Sequence, residues 1–315
     1  MTSEFAFIAA LRGLATDRAA RGLMDDAAVL EVGAERLVLT MDALVEGVHF
    51  LPDDPPADIA WKLVATNVSD LAAKGALPKG CLLTYALAAD SRWDVAFTAG
   101  LAEACAHFAI PLLGGDTVRS PAGSARSFSL TAIGAPPTGG PVPSRAGAQP
   151  GDTVWVSGCI GDAGMGLRML LGEIPSDPAL VERYRRPRPR PALGVALAPH
   201  VSAMMDVSDG LLIDAGRMAT ASSVAIVIEM MDVPLSPELR RQGDGIKARI
   251  AAITAGDDYV LLFTARPFAD ASLRQIAGRL GATIHRVGSV TFGNGLTLTK
   301  NGLPHPLPMR LGYEH

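Results

Sequence analysis

Between Ala135 and Gln149 the chain carries Pro136, Pro137, Gly139, Gly140, Pro141 and Pro143, and no regular element runs through such a tract. It divides the chain into residues 1–137 and 138–315, each long enough to bury its own core. In the first half, apolar spacing predicts helices over 5–14, 59–71 and 95–108. Strands are predicted at 36–41, 81–87, 112–113 and 128–133. The second half predicts strands at 153–157, 225–229 and 259–263, and helices at 165–171, 193–198, 211–221 and 268–280. Strands and helices mingle without a regular βαβ repeat or a solenoid period, so the expectation is an α+β fold of two lobes.

Several function classes drop out. With 28 basic against 32 acidic residues, the chain lacks the positive charge that coats nucleic acid. A 49% hydrophobic content excludes disorder. Glu4 and Arg12 interrupt the N-terminal apolar run, so no signal peptide is expected. The longest uncharged stretches are too rich in Pro and Gly to span a membrane. Cys81, Cys105 and Cys159 have no metal spacing and read as reduced thiols, so a cytoplasmic protein is expected. No Gly-Lys pair exists for a P-loop, and no Gly-x-Ser-x-Gly or His-Glu-x-x-His is present. The glycines at 158, 161, 164 and 166 break the dinucleotide order and read as packing glycines. The basic run from Arg183 to Pro191 has no aromatic platform beyond Tyr184 and reads as a solvated lead-in to a helix.

The acidic residues are skewed: 22 Asp against 10 Glu. Asp26 sits in a turn before a strand, Asp42 at the end of one, and Asp70 on the polar side of a helix. Asp116 follows Gly114-Gly115 just past a strand. Asp206 and Asp209 lie in a Gly-bounded turn, and Asp257-Asp258 precede the last apolar strand. Any one of these is more commonly an Asx-turn or a helix cap than a ligand. Together they suggest carboxylates gathered on one face, which repel unless cations lie among them. Mg²⁺ bridges carboxylates and phosphate oxygens, so metal-assisted phosphoryl transfer is the expected chemistry.

The motifs then take on a shape. Asp25-Asp26-Ala27, Asp42-Ala-Leu-Val-Glu-Gly-Val-His49-Phe50, Asn67-Val-Ser-Asp70 and Gly114-Gly-Asp-Thr117 occur in that order. Ser144-Arg145-x-Gly, Asp206-x-Ser-Asp-Gly-Leu211, Gly256-Asp-Asp-Tyr259 and a closing Gly312-Tyr313-Glu-His315 follow. This series resembles thiamine-phosphate kinase, in the ATP-binding superfamily of aminoimidazole ribonucleotide synthetase. The resemblance implies transfer of a phosphoryl group from ATP to thiamine phosphate by an in-line, Mg²⁺-assisted step. Another ATP-dependent synthetase of that superfamily, or a nucleotide-binding relative with weakened catalysis, is the alternative.

The resemblance further implies a homodimer, with no nucleic-acid or membrane partner. The N-terminal mixed sheets, within residues 1–137, pair across the dimer into a barrel, and an α/β lobe over 138–315 completes the site. Asp26, Thr40, Met41, Asp42, Asp70, Asp116, Asp206 and Asp209 would hold several Mg²⁺ ions. Gly115, Asp116, Arg145 and Ser208 would contact ATP, and His49, Asp257 and Tyr313 the thiamine phosphate. Asp42, Asp70, Asp116, Arg145 and Asp209 would carry the catalysis. Departures from the family pattern include Thr98, where some members place an aromatic near the adenine, and the absence of a final Phe. Met24 stands where a glycine is usual, Met41 can offer only its backbone carbonyl, and Asp257 replaces a longer glutamate.

Overall fold

The computed structural model describes residues 4–87, 90–119, 121 and 123–314, and the Pro/Gly tract runs between two sheets. The first half forms α1 (Glu4–Arg12), β1 (Ala28–Val32), β2 (Glu35–Val45), α2 (Pro56–Ala73), β3 (Leu77–Leu87), α3 (Ser91–His107), β4 (Leu112–Arg119) and β5 (Ser127–Ala135). Its sheet has the order β1-β2-β5-β3-β4, antiparallel except for the β3–β4 pair, which α3 connects.

The second half forms β6 (Thr153–Val156), α4 (Asp162–Leu170), α5 (Pro178–Arg185), α6 (Pro191–Leu197), β7 (Ala203–Val207) and α7 (Leu211–Ser222). It continues with β8 (Ala225–Glu229), α8 (Pro237–Gln242), α9 (Ile246–Ile253), β9 (Val260–Ala265), α10 (Asp270–Arg279), β10 (His285–Thr291), β11 (Gly295–Lys300) and β12 (Leu303–His305). These strands order as β12-β11-β8-β10-β6-β9-β7, with β8–β11 the parallel pair. The architecture is mixed α+β. The expected α/β character of this lobe is corrected: nearly all its pairs are antiparallel, so helical crossovers between adjacent parallel strands are scarcely needed.

Helix α2 is the hinge of the packing. Pro56 presets its first turn, Asp58 favours its N-terminal dipole, and Gly75 at φ 60° lets the chain turn away beyond it. A side chain at Gly75 would collide with Ala198. The helix packs on β2 and β5 of one sheet and on β7, β9 and α6 on the other side. It is therefore buried nearly all round rather than on one stripe. Its Ile59, Leu63, Val64 and Val68 join the first core, while Ala72 and Ala73 join Trp155, Leu193 and Phe263 in the second lobe.

The central strands of the second sheet alternate between two cores. Val154 and Val156 face α7, and Trp155 faces α6 and α10. The glycines at 161, 164 and 166 let helix α4 sit close against its neighbours, where a Cβ would meet Ala252, Ala255 or Leu180 within 2.4 Å, as the packing reading expects. The basic run is a correction. Arg185 pairs with Asp54 at 2.8 Å, and Arg186 pairs with Asp58 and Glu103, so the run clamps the second half onto the first. No helix among the described residues is long and apolar enough to cross a membrane.

Candidate active site

Strand period brings the carboxylates together. In β2, Val38, Thr40, Asp42 and Leu44 share the face turned to α2, and in β7 Asp206 lies on the face opposite Met205 and Val207. Asp42 and Asp206 thus lie within strands, not at the strand end or turn the spacing suggested, and Asp116 likewise lies inside β4. Helix α2 presents an i, i+4 row of Lys62, Thr66, Asp70 and Lys74 into the gap between these sheets. Ser69 donates to Asp206 at 2.6 Å, Thr40 donates to Asp70, and Asn67 accepts the Asp42 N–H at 3.2 Å.

The result is a cleft of about 440 Å³ between the halves. Asp42, Asp70, His49 and Thr66 line it from one side, and Asp206, Ser208, Asp209, Asp257, Tyr259 and Tyr313 from the other. One oxygen each of Asp26, Asp70 and Asp206 lies within 4.8 Å of the others. Three carboxylates at that spacing, all hard oxygen donors, fit a divalent cation such as Mg²⁺. The electrostatics agree. Burial, reinforced by neighbouring carboxylates, raises Asp42 to about 6 and pushes Asp70 and Asp206 well above the ordinary range. Among the described residues no Lys or Arg offsets the charge of Asp42, Asp70 or Asp206.

Asp26 behaves oppositely. Burial opposes its charge, but Lys74 and Arg145 outweigh that and lower it, and Lys74 with Arg21 does the same for Asp25. Lys74 is 0% exposed and touches both carboxylates, with its third contact on the Met204 carbonyl at 3.1 Å. Arg145 lies behind Asp26 as an ion-pair partner rather than in the cleft lining. Met24 sits at φ −117°, where no glycine is needed; the left-handed residues of this turn are Arg21, Gly22 and Leu23.

The loop that carries Ser208 and Asp209 is held from beneath. The N–H groups of Ser208, Asp209 and Gly210 all donate to one oxygen of buried Asp214, at 3.1 to 3.2 Å. Arg217 bridges Asp214 and Asp209. On the far wall, the Asp257 N–H donates to the Ser208 carbonyl and the Tyr313 N–H to that of Asp209. Gly312 must be glycine, since a Cβ would lie 2.5 Å from the Asp209 oxygen. His49 accepts the Val45 N–H on Nδ1, which places its ring proton on Nε2. His315 lies outside the described residues.

Gly115, Asp116 and Met41 are not brought into the cleft. The register Asp42–Leu130–Leu83–Gly115 sets Gly115 three strands away, roughly 14 Å. Asp116 pairs in the adjacent row with Thr84, Ser129 and Ala43, on the face turned away from α2. Met41 points the same way and is 63% exposed. Lys62, Lys74, Asp214 and Arg217 are the residues that sequence reasoning missed. The i+4 repetition of polar residues within the apolar α2 segment is the signal that marks the two lysines.

Comparison with known proteins supplies the context. The AIR synthase related protein N-terminal domain matches residues 24–135, and the corresponding C-terminal domain matches 149–301. The thiamine-monophosphate kinase of Caulobacter vibrioides is 40% identical over 99% of this chain and 91% of its own length. A solved structure described as AaThiL complexed with AMPPCP and TMP superposes with a TM-score of 0.85 at 30% identity, covering 99% of this chain and 97% of that one. The thiamine-monophosphate kinase of Stenotrophomonas maltophilia superposes with a TM-score of 0.78 at 37% identity, covering 96% of each chain.

Proposed function

Because the chain belongs to the thiamine-monophosphate kinase family, within the AIR synthase related proteins, we infer that it phosphorylates thiamine phosphate with ATP, giving thiamine diphosphate and ADP. The observation that carries the chemistry is the convergence of Asp42, Asp70 and Asp206 from three elements onto one cleft. Donor and acceptor are both phosphates, so their mutual repulsion is the main barrier to be lowered. Mg²⁺ held by Asp26, Asp42, Asp70 and Asp206, with Asp209 at the edge, would neutralise that charge. The acceptor phosphate oxygen is already ionised near neutral pH, with a second pKa of about 6, so the protein needs no strong general base. Thr40 and Ser69 orient the carboxylates by hydrogen bonds, and Ser208 with the fixed 208–210 backbone stands where nucleotide phosphates would lie. Arg145 anchors Asp26. His49, Asp257 and Tyr313 line the thiamine phosphate end, where a tyrosine can stack on a heterocycle.

A homodimer completes the reading. The face of the first sheet turned away from α2 exposes Met41 and Leu82, and the edge strand β4 exposes Leu112, Leu113 and Val118. In such a dimer Gly115 and Asp116, which lie outside this chain's own cleft, would contact nucleotide. Residues 1–137 then serve metal and ATP binding and dimerisation, and 138–315 complete the nucleotide and substrate site. The test is direct. Folded protein with MgATP and thiamine phosphate is expected to form thiamine diphosphate, resolved by chromatography, and to release no ADP with formylglycinamidine ribonucleotide or selenide. Absence of product above the enzyme-free control overturns the reading.

A further inference from the structure

Lys62 is 2% exposed and its ammonium is fully engaged. It donates to the His49 carbonyl at 2.9 Å and to Asp257 Oδ2 at 3.0 Å, and lies 3.9 Å from the centre of the Tyr184 ring. His49 belongs to the first half and Asp257 to the second, so one cation joins two walls of the same pocket. The Tyr259 hydroxyl donates to Asp257 Oδ1 at 3.0 Å, so both carboxylate oxygens are held. The loop reinforces the pose: Asp257 and Tyr259 adopt φ of 71° and 49°, and their N–H groups bond to Ser208 and Val207.

We propose that Lys62 is a positioning residue for thiamine phosphate, setting the spacing between His49 and Asp257 and turning Asp257 into an oriented hydrogen-bond acceptor. This rests on the kinase reading. A buried ammonium is tolerated only with a charged partner, so the pair is mutually dependent. With its charge balanced from behind, Asp257 offers its remaining lone pairs to a donor such as an exocyclic amine, rather than a bare negative charge to any cation.

The experiment is calorimetric binding of thiamine phosphate to the full chain with Mg²⁺ and a non-hydrolysable ATP analogue, in wild type, Lys62→Met, Asp257→Asn and the double variant. Lys62→Met is expected to raise the thiamine phosphate Kd about tenfold or more, with KM rising in parallel, while kcat and the affinity for the ATP analogue stay within about threefold. The double variant is expected to bind within about threefold of Asp257→Asn alone, because Lys62 acts through that carboxylate. A change below about threefold in Lys62→Met, or losses that multiply in the double variant, overturns the proposal. If Lys62→Met does not fold, Lys62→Gln, which keeps a donor for His49 without the charge, is judged by the same thresholds. Failure of the wild type itself to bind thiamine phosphate would instead remove the kinase reading.

Discussion

Replacing Lys74 by methionine tests the electrostatics of the site at its most buried point. The lysine is 0% exposed, and the Asp25 and Asp26 side chains it pairs with are each 2% exposed. Methionine keeps much of the volume, so the change is mainly one of charge. Removing one member of a buried ion pair typically costs about 3–5 kcal/mol, because the partner is left charged and dry. Arg21 still pairs with Asp25 and Arg145 with Asp26, which places the expectation near the lower end, about 3 kcal/mol.

The pH dependence has a definite sign. Both carboxylates hold their protons less tightly folded than unfolded, so their contribution is full above the unfolded value of 3.8 and is lost as pH falls toward the folded values. In Lys74→Met these carboxylates are poorly compensated and take up protons at higher pH than in the wild type. The gap between the proteins therefore narrows as pH is lowered from about 7 to about 4. Urea unfolding in EDTA, followed by circular dichroism at both pH values, measures it. A difference below about 1 kcal/mol at neutral pH, or one that fails to shrink on acidification, refutes the reasoning.

Three further outcomes are expected. Asp42→Asn lowers kcat by roughly 10²–10³ in a coupled ADP assay without lowering the urea midpoint at neutral pH, since burial already disfavours that charge; near-normal turnover counts against its metal role. Because Asp42 is raised to about 6, the metal-free protein loses stability as pH rises through that window, and Mg²⁺, which needs the ionised form, stabilises it more at about pH 8 than at about pH 5.5; equal melting shifts contradict this. Leu82→Arg, on the exposed sheet face, converts a dimer to a species of 32.7 kDa by light scattering, whereas a wild type already of that mass removes the dimer.

The legible part of the molecule was the part with simple periods. Short apolar, β-branched runs located β2, β3, β5, β6, β8 and β9, and the break at Pro136–Pro143 falls between the two sheets. Strands β7, β10, β11 and β12 and helices α5, α8 and α9 went unread: β12 is three residues long, and α8 is six residues with three charges. The carboxylates drew notice through the excess of Asp over Glu and their strand-end or Gly-flanked settings, although the strand of Asp42 was drawn too short and that of Asp206 was read as a turn. Lys62 and Lys74 escaped because α2 was read as having one apolar side. A helix with a core on each side hides its polar row inside, and only the second half, far along the chain, reveals that.

Because α2 lines two interiors at once, the halves cannot mature separately. As the chain leaves the ribosome, residues 56–73 can settle on the first sheet, but Ala72 and Ala73 stay bare until α6 arrives more than a hundred residues later. The fit there is close enough that a Cβ on Gly194 would fall 1.9 Å from the Ala72 oxygen. A fragment ending at the Pro/Gly tract would carry that bare wall permanently and be prone to stick to itself, so gene fusions and truncations of this protein must leave both halves in one polypeptide.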